Sequence, residues 1–318
     1  MNILVTGIAG FIGSKLAQQL NAIGHTVIGI DNFNEYYDSS LKRRRVAALI
    51  PNVKIHEVDI TDKVALSDVF ANQPIDVVCH LAAQAGVRYS VEAPEVYVTT
   101  NVLGTQILFE VMRQHNVKRM VYAATSSAYG ISTPVPFQED SSADRPVSVY
   151  AATKRAAELL AHNYFMQYGI ETTCLRFFTV YGPWSRPDMA MLKFAEKITA
   201  GEAIDIYNEG NLRRDFTYVD DIVAGFIKAV EKPLGYEIIN LGNGSPVELM
   251  KFIEVLEKEL GQVAQKNFLP MQQGDVFETY ADTTKAKQLL DWQAETVFEE
   301  GVKAFADWYK EYHQPKEQ

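Results

Sequence analysis

The first 180 residues alternate between short, continuously apolar runs and longer segments whose apolar residues recur three or four positions apart. Continuously apolar runs are typical of strands buried on both faces, and the periodic segments are typical of amphipathic helices. This alternation predicts an α/β fold with a doubly wound parallel sheet covered by helices on both sides. We predict strands at residues 3–5, 27–30, 53–58, 75–79, 119–124 and 172–178. We predict helices at residues 62–70, 95–114, 149–168, 191–200, 219–230, 247–260, 283–290 and 298–312.

The regular alternation stops after Thr179. Residues 181–188 are predicted to form a loop, and the elements beyond it are predicted to form a smaller α/β lobe over the carboxyl edge of the sheet. A strand at residues 236–241 is expected to return to the main sheet. We therefore expect a first domain of residues 1–180, to which residues 217–245 return, and a substrate-binding lobe of residues 181–318.

Composition and charge narrow the classes of function. The 318 residues are 47% hydrophobic with a formal net charge of −10, which disfavours a nucleic-acid partner because polyanion binding needs a basic surface. We see no secretory leader and no apolar stretch of about 18 residues, so we expect a soluble cytoplasmic protein with no membrane partner. Cys79 and Cys174 lie in apolar runs, which predicts buried thiols in a reducing compartment and no metal site. The basic run of residues 42–45 is predicted to be a solvated helix start, or otherwise a phosphate contact.

Three glycines, Gly7, Gly10 and Gly13, lie between the first predicted strand and the first helical segment. Gly7 permits the tight turn, Gly10 a close approach of phosphate and Gly13 close packing of the helix, whose N-terminus attracts a pyrophosphate. Asp31 ends the second strand 18 residues after Gly13, where a carboxylate bonds ribose hydroxyls and repels a 2′-phosphate. The pattern predicts a Rossmann-type site for NAD rather than NADP, and the alternative is a glycine turn without a ligand.

Two further residues end a predicted strand at the same edge. Asp59 and Ile60 end the third strand and are placed to meet the adenine ring. The alternative for Asp59 is a cap of the helix that follows it.

Tyr150 and Lys154 lie four residues apart in a predicted helix, which places the phenol and the ammonium on one face. A neighbouring cation lowers the pKa of a phenol from its usual value of about 10, so Tyr150 is a candidate general base. Thr125, at the end of the fifth strand, is placed to hydrogen-bond the same substrate oxygen. The alternative is a solvated helix face, because this spacing is common by chance.

The glycine triplet and the Tyr-x-x-x-Lys pair together resemble the extended short-chain dehydrogenase/reductase family. Five longer blocks resemble the nucleotide-sugar epimerases within that family, and the first two are characteristic of the branch that acts on UDP-glucuronate. These blocks are Asp31–Lys42, His80–Ser90, Arg176–Trp184, Arg214–Asp221 and Met271–Asp275.

The resemblance implies an enzyme that inverts C4 of UDP-glucuronate to give UDP-galacturonate, through a transient 4-keto sugar and a tightly bound NAD. A 4-epimerase of a neutral UDP-hexose, a UDP-glucuronate decarboxylase and a non-enzymatic NAD-binding sensor remain as alternatives. The resemblance also implies that Lys154 bonds the nicotinamide ribose and lowers the pKa of Tyr150. A homodimer is expected through the helices of residues 95–114 and 149–168.

The same resemblance implies two sets of contact residues. Cofactor contacts are expected at Gly7, Gly10, Phe11, Ile12, Gly13, Asp31, Asn32, Lys42, Asp59, Ile60, Leu81, Ala82, Ala83, Gln84, Asn101, Ala123, Tyr150 and Lys154. Substrate contacts are expected at Arg88, Thr125, Ser126, Ser127, Tyr150, Thr179, Arg186, Met189, Lys193, Tyr207, Arg214, Gln272 and Asp275.

Several of these residues have specific expected roles. Arg214 suits the diphosphate, with a surface ion pair to Asp215 or Asp220 as the alternative. Asp275 suits the uridine ribose, and Arg88 and Arg186 suit either a carboxylate or a phosphate. The hydroxyls of Thr125, Ser126, Ser127 and Thr179 are expected to hold the substrate carboxylate so that the 4-keto uronate does not lose carbon dioxide. For Ser126 and Ser127 the alternative is a turn cap after a strand.

Overall fold

The computed structural model describes residues 1–271 and 276–313, with strands and helices alternating through the first half of the chain. The strands are β1 Asn2–Thr6, β2 Thr26–Asp31, β3 Lys54–Glu57, β4 Val77–His80, β5 Arg119–Thr125, β6 Glu171–Phe177, β7 Thr179–Tyr181, β8 Ala203–Tyr207, β9 Arg213–Arg214, β10 Phe216–Tyr218, β11 Tyr236–Leu241, β12 Val247–Glu248, β13 Gln265–Leu269 and β14 Glu278–Thr279. The α-helices are α1 Phe11–Ala22, α2 Ser39–Leu49, α3 Lys63–Asn72, α4 Tyr89–Glu92, α5 Pro94–Tyr97, α6 Thr105–Gln114, α7 Val149–Tyr168, α8 Ala190–Thr199, α9 Val219–Glu231, α10 Leu249–Leu260, α11 Thr284–Leu290 and α12 Phe298–Trp308. Turns of π-helix span Val98–Gly104 and Tyr309–His313, and turns of 3-10 helix span Ser126–Tyr129 and Asn208–Gly210.

A seven-stranded parallel sheet forms the centre of the molecule, in the order β11-β6-β5-β4-β1-β2-β3. All six strands predicted in the first half belong to it, with ends shifted by at most two residues. The strand predicted at 236–241 lies at its edge as β11, paired with β6. The doubly wound α/β fold is thus confirmed, whereas the division into two domains stays a prediction.

The sheet is buried on both faces, as its continuously apolar strands require. In β1, Ile3 and Val5 join one hydrophobic cluster with α1 and α9, while Leu4 joins the cluster on the opposite face with α3, α6 and α7. Cys79 and Cys174 are buried free thiols in these two layers, as predicted.

A third hydrophobic cluster lies beyond the carboxyl edge of the sheet, in the second half of the chain. It is rich in aromatic residues, and the rings of Phe216 and Phe252 stack with centroids 4.9 Å apart. Short sheets surround it, pairing β10 with β7, β13 with β8, and β9 with both β12 and β14.

Helix α2 corrects the prediction for the basic run. Arg43 and Arg44 are exposed, but Lys42 and Arg45 are buried, so the run is not a solvated helix start. Three of the four Arg45 contacts go to backbone carbonyls, which satisfies the guanidinium inside the protein. The sequence expectation failed because this satisfaction comes from residues distant in the chain.

Within the described ranges, no helix is both long enough and apolar enough to span a bilayer. The same ranges contain no group of three or more His, Cys, Asp or Glu side chains arranged to hold a metal ion.

Candidate active site

The glycine turn between β1 and α1 is built so that only glycine fits at two of its positions. Gly7 has φ +69°, and a Cβ there would lie 2.7 Å from the Ala82 backbone nitrogen. A Cβ at Gly13 would collide with the carbonyl oxygen of Gly7. The turn therefore brings the N-terminus of α1 directly to the loop after β4, and leaves backbone free to approach a phosphate.

A cleft of about 1070 Å³, counting space open to solvent, lies along the carboxyl ends of β1, β2, β4 and β5. The cleft is lined by most of the residues predicted to contact a cofactor. These are Gly7, Gly10, Phe11, Ile12, Gly13, Asp31, Asn32, Lys42, Ile60, Leu81, Ala82, Ala83, Gln84, Ala123, Tyr150 and Lys154.

Asp31 is held in place at the end of β2. Its carboxylate accepts hydrogen bonds from the backbone nitrogens of Ala9, at 3.0 Å, and Phe33, at 2.8 Å. The Lys42 ammonium lies 3.8 Å from the same carboxylate and donates to Asn34. A fixed carboxylate beside the glycine turn fits the ribose of an NAD molecule whose pyrophosphate lies at α1.

Asp59 does not line the cleft, in contrast to its neighbour Ile60. Its carboxylate accepts hydrogen bonds from the Asn32 amide at 2.7 Å and from the backbone nitrogen of Thr61 at 2.8 Å. The alternative of a helix cap is wrong, because Asp62 caps α3 by accepting from Val64 and Ala65. The structure gives Asp59 the role of fixing Asn32, which does line the cleft.

Asn101 was also predicted to contact the cofactor, and the structure gives it other partners. It lies in the π-helical turn before α6, where its side chain accepts from the Gln84 nitrogen at 2.7 Å. It donates to the Gln84 carbonyl and to Thr153, both at 3.0 Å. Asn101 does not line the cleft, so it shapes the cleft through Gln84.

Tyr150 and Lys154 both line the cleft from the first turns of α7. Ser148 starts this helix by accepting from the Ala151 nitrogen at 3.1 Å, which sets where Tyr150 emerges. Burial raises the pKa of the Tyr150 phenol, while the Arg186 guanidinium and a hydrogen bond from Thr125 lower it. The cation that most favours the phenolate is thus Arg186, whereas the sequence predicted Lys154.

The environment of Lys154 explains this difference. Its ammonium lies 4.2 Å from the centroid of the Tyr122 ring, in the interior of the protein. Burial lowers the pKa of Lys154 to about 7, against the attraction of Glu158 one turn further along the helix. Near neutral pH the lysine is therefore only partly charged.

Thr125 links the base to the predicted hydroxyl cluster. Its side chain lowers the pKa of Tyr150 and accepts a hydrogen bond from the Ser127 nitrogen at 3.2 Å, so Thr125 is the cap of the Ser126–Tyr129 turn. Ser126 and Ser127 thus follow directly from a residue that acts on the base. Thr179 begins β7, two residues after Phe177, which is the register partner of Thr125. The four hydroxyl residues therefore start from one end of the sheet.

Arg186 lines the cleft near Tyr150 and forms a two-pronged ion pair with Asp188, with both N–O distances 2.9 Å. The Tyr36 hydroxyl also donates to Asp188, at 3.3 Å. Neither Tyr36 nor Asp188 was singled out from the sequence. Arg45 was singled out only as part of a solvated run, although it joins Ala9 of the glycine turn to Trp184 and Ser185. The only sequence signal for this role of Arg45 was its spacing from Lys42, which places both side chains on one face of a helix.

The remaining residues that we predict to contact the substrate lie in the second half of the chain, except Arg88. The Arg88 guanidinium lies 5.4 Å from the centroid of the Tyr207 ring. Met189 precedes α8, and Lys193 is exposed on that helix. Gln272 and Asp275 fall outside the described residues.

Arg214 lies in β9 and donates to the carbonyl oxygens of Arg213, at 3.0 Å, and Phe277, at 3.1 Å. Within residues 1–271 and 276–313 no ion pair joins it to Asp215 or Asp220, which was the alternative. Asp215 is buried and accepts from three backbone nitrogens and from Thr217, and Asp220 pairs with Lys15 at 3.3 Å.

Comparison with known proteins agrees with this site. The chain is similar to the UDP-glucuronate 4-epimerase of Thermodesulfobacterium geofontis, at 47% identity over 97% of this chain and 96% of that protein. It is similar to the crystal structure of a UDP-glucuronic acid 4-epimerase from Bacillus cereus in complex with UDP-glucuronic acid and NAD. That match has TM-score 0.92 and 36% identity, and covers 98% of this chain and 100% of the other.

A UDP-glucose 4-epimerase from Thermotoga maritima, solved with UDP-glucose, is also similar. Its TM-score is 0.91 and its identity 32%, covering 99% of this chain and 100% of the other. The family model described as NAD dependent epimerase/dehydratase family matches residues 3–242. These matches confirm the resemblance seen in the sequence motifs. The chain therefore belongs to the NAD dependent epimerase/dehydratase family.

Proposed function

We propose that this chain is a UDP-glucuronate 4-epimerase, which interconverts UDP-glucuronate and UDP-galacturonate with a retained NAD. The observation that carries the proposal is the placement of Thr125, whose side chain lowers the pKa of Tyr150 and which caps a turn that continues with Ser126 and Ser127. The site thus combines a candidate base on α7 with hydroxyl donors suited to a carboxylate. The relatives from Thermodesulfobacterium geofontis and Bacillus cereus support the same substrate.

Tyr150 is the proposed base for the C4 hydroxyl. Burial raises the pKa of this phenol overall, and the Arg186 guanidinium and the Thr125 hydroxyl offset part of that rise, which helps form the phenolate needed to take the proton. NAD, held by the residues of the cleft, would supply the acceptor for the hydride from C4 and the donor for its return to the other face of the sugar. Tyr150 gives its proton back in the second half of the reaction, so the side chain ends each turnover as it began.

Inversion requires the flat keto sugar to turn while its nucleotide stays fixed. Arg214 is the proposed diphosphate ligand, because its guanidinium is held at β9 by two backbone carbonyls. Lys154 is the proposed ligand of the cofactor ribose from the floor of the cleft. Gln272 and Asp275 are proposed to hold the uridine.

Retention of the carboxylate is the proposed task of Thr125, Ser126, Ser127 and Thr179. A 4-keto uronate is a β-keto acid, and it loses carbon dioxide when its carboxylate leaves the plane of the ketone. Hydroxyl donors that grip the carboxylate hinder that geometry and offer no sink for electrons. The family resemblance implies that dehydratases carry an acid pair where this chain has Ser126 and Ser127, so we do not propose expulsion of a 6-hydroxyl as water.

Comparison of substrates tests this proposal against the neutral epimerases, one of which is similar to this chain. We expect kcat/KM for UDP-glucuronate to exceed that for UDP-glucose by about 100-fold, because lost hydrogen bonds to a charged group cost about 1.5–3 kcal/mol each. A preference for UDP-glucose would assign the chain to neutral sugars. A UDP-pentose as main product would indicate a decarboxylase, and turnover of neither sugar would indicate an NAD-binding sensor.

We also propose a cytoplasmic homodimer formed through the helical segment of residues 94–114 and through α7. Large apolar side chains are exposed on both, among them Val98 and Leu103 on the first and Leu159 and Met166 on the second. Sedimentation of the wild type and of Leu159→Glu tests this, since the charge should give monomers. The division into an NAD-binding domain and a UDP-sugar-binding lobe remains part of the same proposal.

A further inference from the structure

Arg186 and Asp188 form an ion pair with fixed geometry in the loop after β7. The Nε and Nη2 atoms of Arg186 each donate a hydrogen bond of 2.9 Å, one to each carboxylate oxygen of Asp188. Two parallel bonds fix the plane of the guanidinium, which a single contact would leave free to rotate. Because Arg186 lines the cleft with Tyr150, the position of this guanidinium determines how its charge acts on the phenol.

A tyrosine from the cofactor side of the cleft holds the same carboxylate from another direction. The Tyr36 hydroxyl donates to Asp188 at 3.3 Å, from the segment between β2 and α2. The Tyr36 ring is itself packed against Tyr89, with centroids 5.1 Å apart. Asp188 therefore contacts both Tyr36, in the segment between β2 and α2, and Arg186, in the loop after β7.

The backbone before Arg186 is fixed without Asp188. The buried Arg45 guanidinium donates to the carbonyl oxygens of Trp184, at 2.9 Å, and Ser185, at 3.1 Å. The loop thus keeps its path up to Ser185 whatever residue stands at position 188. The Arg186 side chain, in contrast, depends on its ion pair for its position.

We propose that Asp188 is a positioning residue, which holds the Arg186 guanidinium against the cleft side of Tyr150 and so keeps the phenol ready to accept a proton. The inference rests on the proposed function, because it takes Tyr150 as the base. Asp188 itself touches neither the base nor the substrate in this scheme.

Asp188 influences Tyr150 in two opposite ways. Its negative charge by itself raises the pKa of the phenol, whereas the Arg186 guanidinium lowers it. If Asp188 acted by charge alone, Asp188→Asn would lower the pKa of Tyr150. If Asp188 holds Arg186 in place, the same substitution releases the guanidinium and the pKa of Tyr150 rises. The other titratable groups around the phenol are Tyr97 from α5, Tyr122 from β5 and Lys154 from α7.

The direction in which the pKa of Tyr150 changes can be measured in the holoenzyme without any sugar. Tyrosinate absorbance is followed against pH for a protein and for the same protein carrying Tyr150→Phe, and the difference between the two curves isolates Tyr150. The comparison is made in the wild type, in Asp188→Asn, in Arg186→Gln and in the double variant. Since no substrate is used, a failure of the proposed function leaves this result interpretable.

We expect the Tyr150 midpoint in Asp188→Asn to rise by about one pH unit, a tenfold change in the ionisation constant, toward that of Arg186→Gln. The double variant should lie at or slightly below Arg186→Gln, because Asp188 then has no guanidinium to hold and only its direct charge effect on Tyr150 is removed. A midpoint that falls or stays constant in Asp188→Asn would overturn the proposal. A double variant whose midpoint lies clearly above that of Arg186→Gln would also do so, because it would show an effect of Asp188 that does not pass through Arg186.

A milder pair of variants covers the case in which Asp188→Asn does not fold. Tyr36→Phe removes one hydrogen bond to Asp188 and keeps the ring, and we expect a rise of the Tyr150 midpoint of about half a pH unit. Asp188→Glu keeps the charge and should restore part of the wild-type midpoint. Asp307→Asn breaks a matched ion pair, with Lys303 at 2.8 Å on α12, and should leave the midpoint unchanged. If the Tyr150 midpoint equals that of the wild type in both Tyr36→Phe and Arg186→Gln, the inference is wrong.

Discussion

The Lys154 ammonium lies 4.2 Å from the centroid of the Tyr122 ring, and both side chains are buried. A cation over an aromatic face is attracted by the ring, but burial deprives it of water. The loss of water dominates, since the pKa of Lys154 falls from its ordinary 10.5 to about 7. The protein thus keeps a lysine where its charged form is disfavoured, which is typical of a functional site.

Lys154→Met should therefore stabilise the cofactor-free protein while abolishing turnover. Between about pH 7 and 10.5 the unfolded chain binds more protons than the folded one, so the penalty from Lys154 is complete below pH 7 and fades as pH rises. We expect the free energy of unfolding in urea to increase by on the order of 2 kcal/mol at pH 6, and by much less at pH 10. An equal change at the two pH values would contradict the assignment of a depressed pKa.

Tyr150→Phe should reduce kcat by about 10³-fold or more while NAD stays bound, because only the proton acceptor is removed. Turnover and the NAD released on denaturation are measured on the same preparation. Tyr168→Phe, at the exposed end of the same helix, is the matched control and should retain wild-type turnover. Normal turnover in Tyr150→Phe would exclude Tyr150 as the base.

Gly13→Ala should prevent NAD from binding, because the new Cβ collides with the Gly7 carbonyl and forces the glycine turn away from α1. The NAD content of purified protein gives the result. Gly169→Ala meets open space at the end of α7 and suffers only from its positive φ of +65°, so it should keep its cofactor. Retention of NAD in Gly13→Ala would mean that the turn is not the phosphate site.

The periodicity of apolar residues was sufficient to predict the main sheet and most of the residues that line the cleft. Strand β1 is apolar on both faces. Gly7 follows β1, Gly13 lies in the first turn of α1, and Asp31 ends β2, so all three lie at one edge of the sheet. Such residues are predictable because their position depends on local structure and on the rule that parallel strands end together.

Contacts between distant segments were not predictable in the same way. Arg45 meets the Trp184 carbonyl 139 residues away, and Tyr36 meets Asp188 152 residues away. The basic run of residues 42–45 predicts a helix start, but it hides the apolar spacing that would give the full extent of α2, Ser39–Leu49, and its buried Lys42 and Arg45. The hydrogen bonds of the Asn101 amide to Gln84 and Thr153 were likewise not predictable, and its contact with the cofactor stays a prediction.

Thr179→Val should weaken the grip on the carboxylate while keeping the shape of the side chain. We expect KM for UDP-glucuronate to rise about tenfold, and a larger share of product to appear as UDP-pentose, because a hydrogen bond to a charged group is lost. Thr199→Val, whose hydroxyl bonds within α8 and to Tyr309, is the control and should behave as the wild type. An unchanged product ratio in Thr179→Val would remove Thr179 from the carboxylate site.

Product analysis with UDP-glucuronate tests the central claim most directly. Purified protein with its bound NAD is incubated with UDP-glucuronate, and the sugars are identified by NMR as the reaction proceeds. The account predicts that UDP-galacturonate accumulates to an equilibrium mixture, with no added cofactor and little carbon dioxide. If UDP-pentose and carbon dioxide form without UDP-galacturonate, or if the sugar is left unchanged, the claim of a UDP-glucuronate 4-epimerase is wrong.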